Sequence, residues 1–145
     1  MVKEARNKLY TIIPIFSYAI TNNLALNKSF HFLYNRYMEG KEKMIRIMLC
    51  CASGMSTSLL VEKMKKAALE QGIEAEIWAV GANEVKANAN RTDIILLGPQ
   101  VRYAQRKIES EAPGVPVAHI DMKDYGMMNG QSVLKQALAI LEKNQ

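Results

Sequence analysis

From Met44 onward, apolar and polar positions switch regularly between two periods. Ile45-Arg46-Ile47-Met48-Leu49 is a short, mostly apolar run that predicts a first strand. Over residues 56–71, Leu60, Met64, Ala67, Ala68 and Gln71 recur at helical spacing, and Gly72 is placed to end that helix. Ile73, Ala75, Ile77 and Ala79 then alternate with Glu74, Glu76 and Trp78, which predicts a strand over 73–80 with one polar side. Residues 83–90 read as a short helix, and Asp93 to Leu97 as a buried strand. Gly98-Pro99 stops that strand. A helix over 100–111 follows, with Val101, Ala104 and Ile108 on one face, until Pro113-Gly114 breaks it. Val115 to Ile120 predicts a fourth strand, and 130–143 a closing helix with Leu134, Leu138 and Leu141 inward. Strands alternating with helices predict an α/β domain: an open four-stranded parallel sheet flanked by helices on both faces.

Residues 1–43 do not follow this rhythm. Their apolar run from Ile12 to Ile20 is interrupted by Pro14 and falls short of the roughly 18 residues that span a bilayer. Two organisations are therefore expected: an N-terminal extension, 1–43, and a functional domain, 44–145. Glu39-Gly40-Lys41-Glu42-Lys43 are all specified by purine-rich codons, immediately before Met44. That is how a bacterial ribosome-binding site reads when translated, so Met44 is expected to be the natural start and 1–43 a translated leader, poorly ordered or loosely docked. Lys3, Arg6 and Lys8 precede the apolar run as in a secretory signal, but no clear small-residue cleavage site follows it.

Composition changes the picture in three places. Apolar residues make up 49% and charged residues 23% of the chain, ordinary values for a globular protein. The net charge of +5 lies mostly in the extension, where seven basic and three acidic residues leave +4. The domain is nearly neutral, which argues against nucleic acid as a partner. The only two cysteines, Cys50 and Cys51, are adjacent, and no Cys/His spacing suits zinc. No metal and no cofactor are expected, and free thiols point to the cytoplasm.

The candidate chemistry sits where the first strand meets its helix, in Cys51-Ala52-Ser53-Gly54-Met55-Ser56-Thr57-Ser58. The first N–H groups of a helix have no internal partners, and its dipole adds positive character there. Such a terminus holds a phosphate or stabilises a thiolate. Gly54 allows the backbone to come close, and Ser53, Ser56, Thr57 and Ser58 add hydroxyl donors. No lysine or arginine lies between residues 47 and 62, so neutralisation falls to N–H groups, hydroxyls and the dipole. Cys51 is the expected nucleophile. Cys50, one residue earlier in an apolar strand, reads as a small buried hydrophobe.

At this point the domain resembles the IIB component of the bacterial phosphoenolpyruvate-dependent sugar phosphotransferase system, lactose/cellobiose type. The resemblance is carried by Cys51 to Leu60, by Leu96-Leu97-Gly98-Pro99-Gln100-Val101, and by Ile120-Asp121 with Tyr125-Gly126. It implies a fold similar to low-molecular-weight tyrosine phosphatases. It also implies an enzyme with a phosphocysteine intermediate, in which Cys51 takes a phosphoryl group from a phosphohistidine of a IIA protein and passes it to a sugar bound by the membrane component IIC. The loop is close to the Cys-Ser-Ala-Gly-Met-Ser-Thr-Ser wording of cellobiose and chitobiose members, which favours a β-diglycoside such as cellobiose or chitobiose over lactose, although it departs in reading Ala52-Ser53. The expected protein is a cytoplasmic monomer that is not inserted in the membrane and docks transiently on both partners at its inner face.

Gln100 and Tyr125 follow the third and fourth strands, on the edge that faces ligands in open α/β sheets, and are candidates for partner contact or loop support. His119 lies inside the last strand and His31 in the extension, so the phosphohistidine is expected on another protein. Two other functions compete. A low-molecular-weight phosphatase or arsenate reductase needs an arginine six residues after the cysteine, where Thr57 stands, and a general acid, for which Asp121 or Asp124 is available. A flavodoxin-like anion- or flavin-binding module would use the hydroxyl-rich loop but has only Tyr103 and Tyr125 for stacking and no task for Cys51.

Overall fold

The computed structural model describes residues 44–144, so the extension, with the leader reading and His31, lies outside the described residues. Four strands make one parallel sheet in the order β2-β1-β3-β4: β1 Ile45–Cys51, β2 Ala75–Gly81, β3 Ile94–Leu97 and β4 Val117–His119. The helices are α1 Ser58–Glu70, α2 Val85–Asn88, α3 Gln105–Glu111, α4 Met122–Gly126 and α5 Gly130–Lys143. The predicted open α/β sheet is therefore present.

Strand periodicity sorts the core into two layers. Met48, Cys50, Val80, Ile95 and Leu97 point to one face and pack with Val85, Val101, Ala104 and Ile108 from the α2–α3 side. The alternate residues Ile47, Leu49 and Cys51 face the other way, the side that α1 and α5 cover with buried Leu60, Met64, Val133, Leu134 and Ala137. The side of β2 predicted to be polar is only partly so. Trp78 packs against the first layer, and Arg91 lies 4.4 Å over its ring and pairs with Glu76 at 3.0 Å.

Several boundaries differ from the sequence prediction, each for a local reason. Ile73 does not join β2, because its N–H closes the end of α1 on Ala68 O (2.9 Å) while Gly72, at φ 65°, donates to Leu69 O. Gln71, predicted inward, is exposed because it is the residue at which α1 ends. The predicted 100–111 helix is two pieces. A 3-10 turn runs over Pro99–Ala104, with Val101 at φ −115°, ψ 15°, and α3 follows. The short helix expected over 83–90 is a single turn, α2, continued by a 3-10 turn Ala89–Arg91. α4, which the pattern did not predict, is capped by Asp121, whose carboxylate accepts from the N–H groups of Lys123 and Asp124. The closing helix spans the residues expected.

Candidate active site

β1 ends on Cys51 and α1 begins at Ser58, so the intervening loop lies at the carboxyl edge of the sheet and runs directly into a helix N-terminus. The Gly54 N–H donates to Cys51 Sγ at 2.8 Å, and the Thr57 hydroxyl donates to it at 3.4 Å. Gly54 sits at φ 77°, a conformation that side chains rarely adopt, and this turns its N–H toward the sulfur. Thr57 occupies the N-cap position of α1 but makes no capping bond. The first turn of α1 has no acidic residue, so no side-chain carboxylate there offsets the positive end of the dipole.

The two thiols are electrostatic opposites. For Cys51, burial pushes the pKa up, but hydrogen bonds from the hydroxyls of Thr57 and Ser56 and from the backbone of Ser53 and Gly54 outweigh it, and the net value falls below the ordinary 9.0. Cys50 is raised from 9.0 to about 11 by burial first, then by the neighbouring Cys51 and by Glu111. The surroundings thus favour the anionic form of Cys51 and the neutral form of Cys50. Neither forms a disulfide.

The flanks of Cys51 were not legible in the sequence. The parallel register pairs Cys51 with Gly81 of β2. On the other side Cys50 pairs with Leu97, so the residue beside Cys51 is Gly98, whose N–H donates to Cys50 O at 2.9 Å. Both neighbours of the reactive position lack a side chain. Gly54 packs over Gly81, and the Glu84 carboxylate accepts the Gly81 N–H at 2.9 Å, fixing the turn after β2 beside the loop. The register of separate strands sets the two glycines beside Cys51, and the bond to Gly81 brings Glu84 to the same turn.

Gln100 and Tyr125 both reach Gly98. A Cβ at residue 98 would lie 3.1 Å from Gln100 Oε1 and 3.7 Å from Tyr125 Cε2. Ala52, Ser53, Met55, Ser56 and Ser58 form the exposed rim of the loop. Asp121 and Asp124 are not poised as general acids. Asp121 caps α4, and Asp124 accepts from Ser132 Oγ (2.7 Å) and Asn129 Nδ2 (3.3 Å). His119 is tied to Gln105 Oε1 at 2.7 Å, away from the sulfur on the α3 side. No helix among the described residues is long and apolar enough to cross a membrane.

A cysteine sulfur that accepts from an N–H and a hydroxyl where a parallel strand meets a helix N-terminus is a candidate anion-handling site of an α/β protein. The sequence pattern described as the PTS system, Lactose/Cellobiose specific IIB subunit, matches residues 46–136. The oligo-beta-mannoside-specific EIIB component of Bacillus subtilis (strain 168) is 45% identical over 100 residues, which cover 68% of this chain and 97% of that protein. The cellobiose-specific EIIB component of Lactococcus lactis subsp. lactis is 44% identical over 98 residues, 63% of this chain and 91% of that protein. The solution structure of a cellobiose-specific IIB component from Borrelia burgdorferi superposes with a TM-score of 0.62 at 34% identity, covering 72% of this chain and 97% of that one. The lactose-specific IIB domain from Streptococcus pneumoniae shares the fold, with a TM-score of 0.61 at 18% identity over 67% of this chain and 97% of that one.

The chain belongs to the lactose/cellobiose-specific IIB family of the sugar phosphotransferase system. It is a phosphotransferase component and a phosphoryl carrier in sugar uptake, working with IIA and IIC partners, on the low-molecular-weight phosphatase-like fold of that family.

Proposed function

We propose that Cys51 carries the phosphoryl group, that the donor is a phosphohistidine of a IIA protein, and that the acceptor is a β-diglycoside bound by membrane IIC. The observation that carries this reading is the convergence of the Gly54 N–H and the Thr57 hydroxyl on Cys51 Sγ at the start of α1. The thiolate attacks phosphorus, the S–P bond forms, and the electron pair of the breaking P–N bond returns to the imidazole of the donor. The sulfur then no longer bears the charge, and the donors that held it are free to hold phosphoryl oxygens. In the second step a sugar hydroxyl attacks phosphorus and releases its proton to water, and the electron pair of the breaking S–P bond returns to Cys51 as thiolate.

The loop from Ala52 to Ser58 is the phosphate cradle in this reading, with Gln100 supporting it from the β3 side. Thr57 stands where a phosphatase places arginine, and both nearby aspartates are engaged in capping the α4–α5 segment, so the phosphoryl group is held rather than hydrolysed. Cys51 has no exposed surface, so the exposed loop above it shifts when a partner docks. Met55, Leu59, Tyr103, Met122 and Met127 are exposed large apolar side chains that all follow strand ends on this edge, and they are the surface we assign to both partners. The working unit is residues 44–145, a cytoplasmic monomer that meets IIC at the inner membrane face. The β-diglycoside assignment is supported by the names of the relatives, which include oligo-beta-mannoside and cellobiose components.

The test is incubation with the general phosphotransferase proteins, a IIA protein and phosphoenolpyruvate, then peptide mapping. The expected product has one phosphoryl group, on the peptide containing Cys51. Brisk hydrolysis of an aryl phosphate by the purified chain would instead favour the phosphatase alternative.

A further inference from the structure

Sheet register sets Gly98, which has no side chain, beside Cys51, and the Tyr125 ring lies next to that glycine. Cys50 and Leu97 are paired and both point into the α3-side core. Strand alternation therefore turns Cys51 and position 98 together toward the opposite face. Residue 98 is glycine, and Tyr125 Cε2 lies 3.7 Å from where its Cβ would be, at ordinary contact distance, behind Gln100 Oε1 at 3.1 Å. The site lies between β1 and β3, where the chain order of the sheet reverses and open α/β sheets bind their ligands.

Tyr125 is 9% exposed, and its hydroxyl is fully buried with no hydrogen-bond partner, even though Gln100 Oε1 approaches the same glycine. Buried hydroxyls are nearly always partnered, because an unmade bond in the interior forfeits the solvation that the group had in water. A phenol hydroxyl can donate a hydrogen bond. Cys51 Sγ already has Gly54 and Thr57 as donors. The Tyr125 hydroxyl makes no bond to Gln100 Oε1, and a phosphoryl group on Cys51 would bring three further acceptor oxygens to this edge.

We propose that Tyr125 is a catalytic residue of the relay, whose hydroxyl donates to a phosphoryl oxygen once the group is on, or arriving at, Cys51. The tyrosine proton is not transferred, and the bonds made and broken are those of the relay itself. The inference rests on Cys51 being the phosphoryl carrier.

Tyr125→Phe in the full chain is the direct test, because it keeps the ring and removes only the hydroxyl. Rapid-mixing transfer from phosphorylated IIA, and the lifetime of the isolated phosphocysteine form, are each expected to fall about tenfold, the scale of one hydrogen bond to a charged group. Alkylation of the Cys51 thiol, which involves no phosphoryl group, should keep its rate; a merely structural role would change both. In the wild-type chain, the ring-carbon NMR signal of Tyr125 should shift on phosphorylation while that of Tyr103, 85% exposed, should not. That measurement decides the matter even if the variant fails to fold. Wild-type transfer and lifetime in a folded Tyr125→Phe, or a Tyr125 signal indifferent to phosphorylation, overturns the inference while leaving Cys51 as carrier. Failure of wild-type Cys51 to take any phosphoryl group removes the underlying reading instead.

Discussion

Thr57 stands at the N-cap of α1, yet its hydroxyl serves the Cys51 sulfur and not the helix. A capping bond contributes about 1 kcal/mol, so the position gives up helix stability for control of a thiol. Thr57→Val is expected to raise the Cys51 pKa toward 9.0, read from the ultraviolet absorbance of the thiolate against pH. Because the pKa is depressed in the folded state, the stabilisation that the anion contributes is present above 9.0 and is lost as pH falls through the lowered value. The rate of phosphoryl acceptance should fall over that same range, and the variant should shift the fall to higher pH. Cys50 has the opposite sign. Its folded pKa is raised to about 11, so its contribution is complete below 9.0 and is lost as pH rises through about 11. Thermal unfolding should therefore lose stability across that alkaline range, and Cys50→Ala should lessen the loss. Sequence could tell the two cysteines apart by the loop that follows Cys51. It could not show Gly81 and Gly98 beside the sulfur, because that depends on which residues of separate strands pair.

At the scale of elements, the long periodic segments were legible and the short ones were not. α5 follows its apolar stripe over 130–143. α1 stops two residues before Ile73 because a glycine at φ 65° and two backbone bonds close it, and that closure takes Ile73 out of β2. The stretch after β3 shows helical spacing, but it opens in 3-10 geometry, with the Val101 N–H closing on Gly98 O at 3.1 Å. α4 is too short for periodicity to detect, and only the Asp121 cap announces it. That cap also bears on chemistry. Asp121→Ala is expected to cost about 1 kcal/mol in thermal unfolding and to leave phosphoryl acceptance intact. Loss of acceptance with stability unchanged would mean that the carboxylate acts on the reaction and not on the helix.

For the whole molecule, the order β2-β1-β3-β4 brings the ends of β1 and β3 together at the point where the winding reverses. The motifs after β1, β3 and β4 are far apart in sequence and meet on that single edge. The alternating pattern predicted the parallel sheet, and with it the edge, but not how the three segments interlock there. Nor did the near-neutral charge of the domain point to an anion site, because the positive character comes from N–H groups and the helix dipole. The proposed relay depends on one sulfur atom. Intact-mass measurement after phosphorylation by IIA, on wild type, Cys50→Ser and Cys51→Ser side by side, tests it most directly. A single phosphoryl adduct on wild type and Cys50→Ser, absent from Cys51→Ser, is the predicted result. An adduct that survives in Cys51→Ser, or disappears in Cys50→Ser alone, would contradict it.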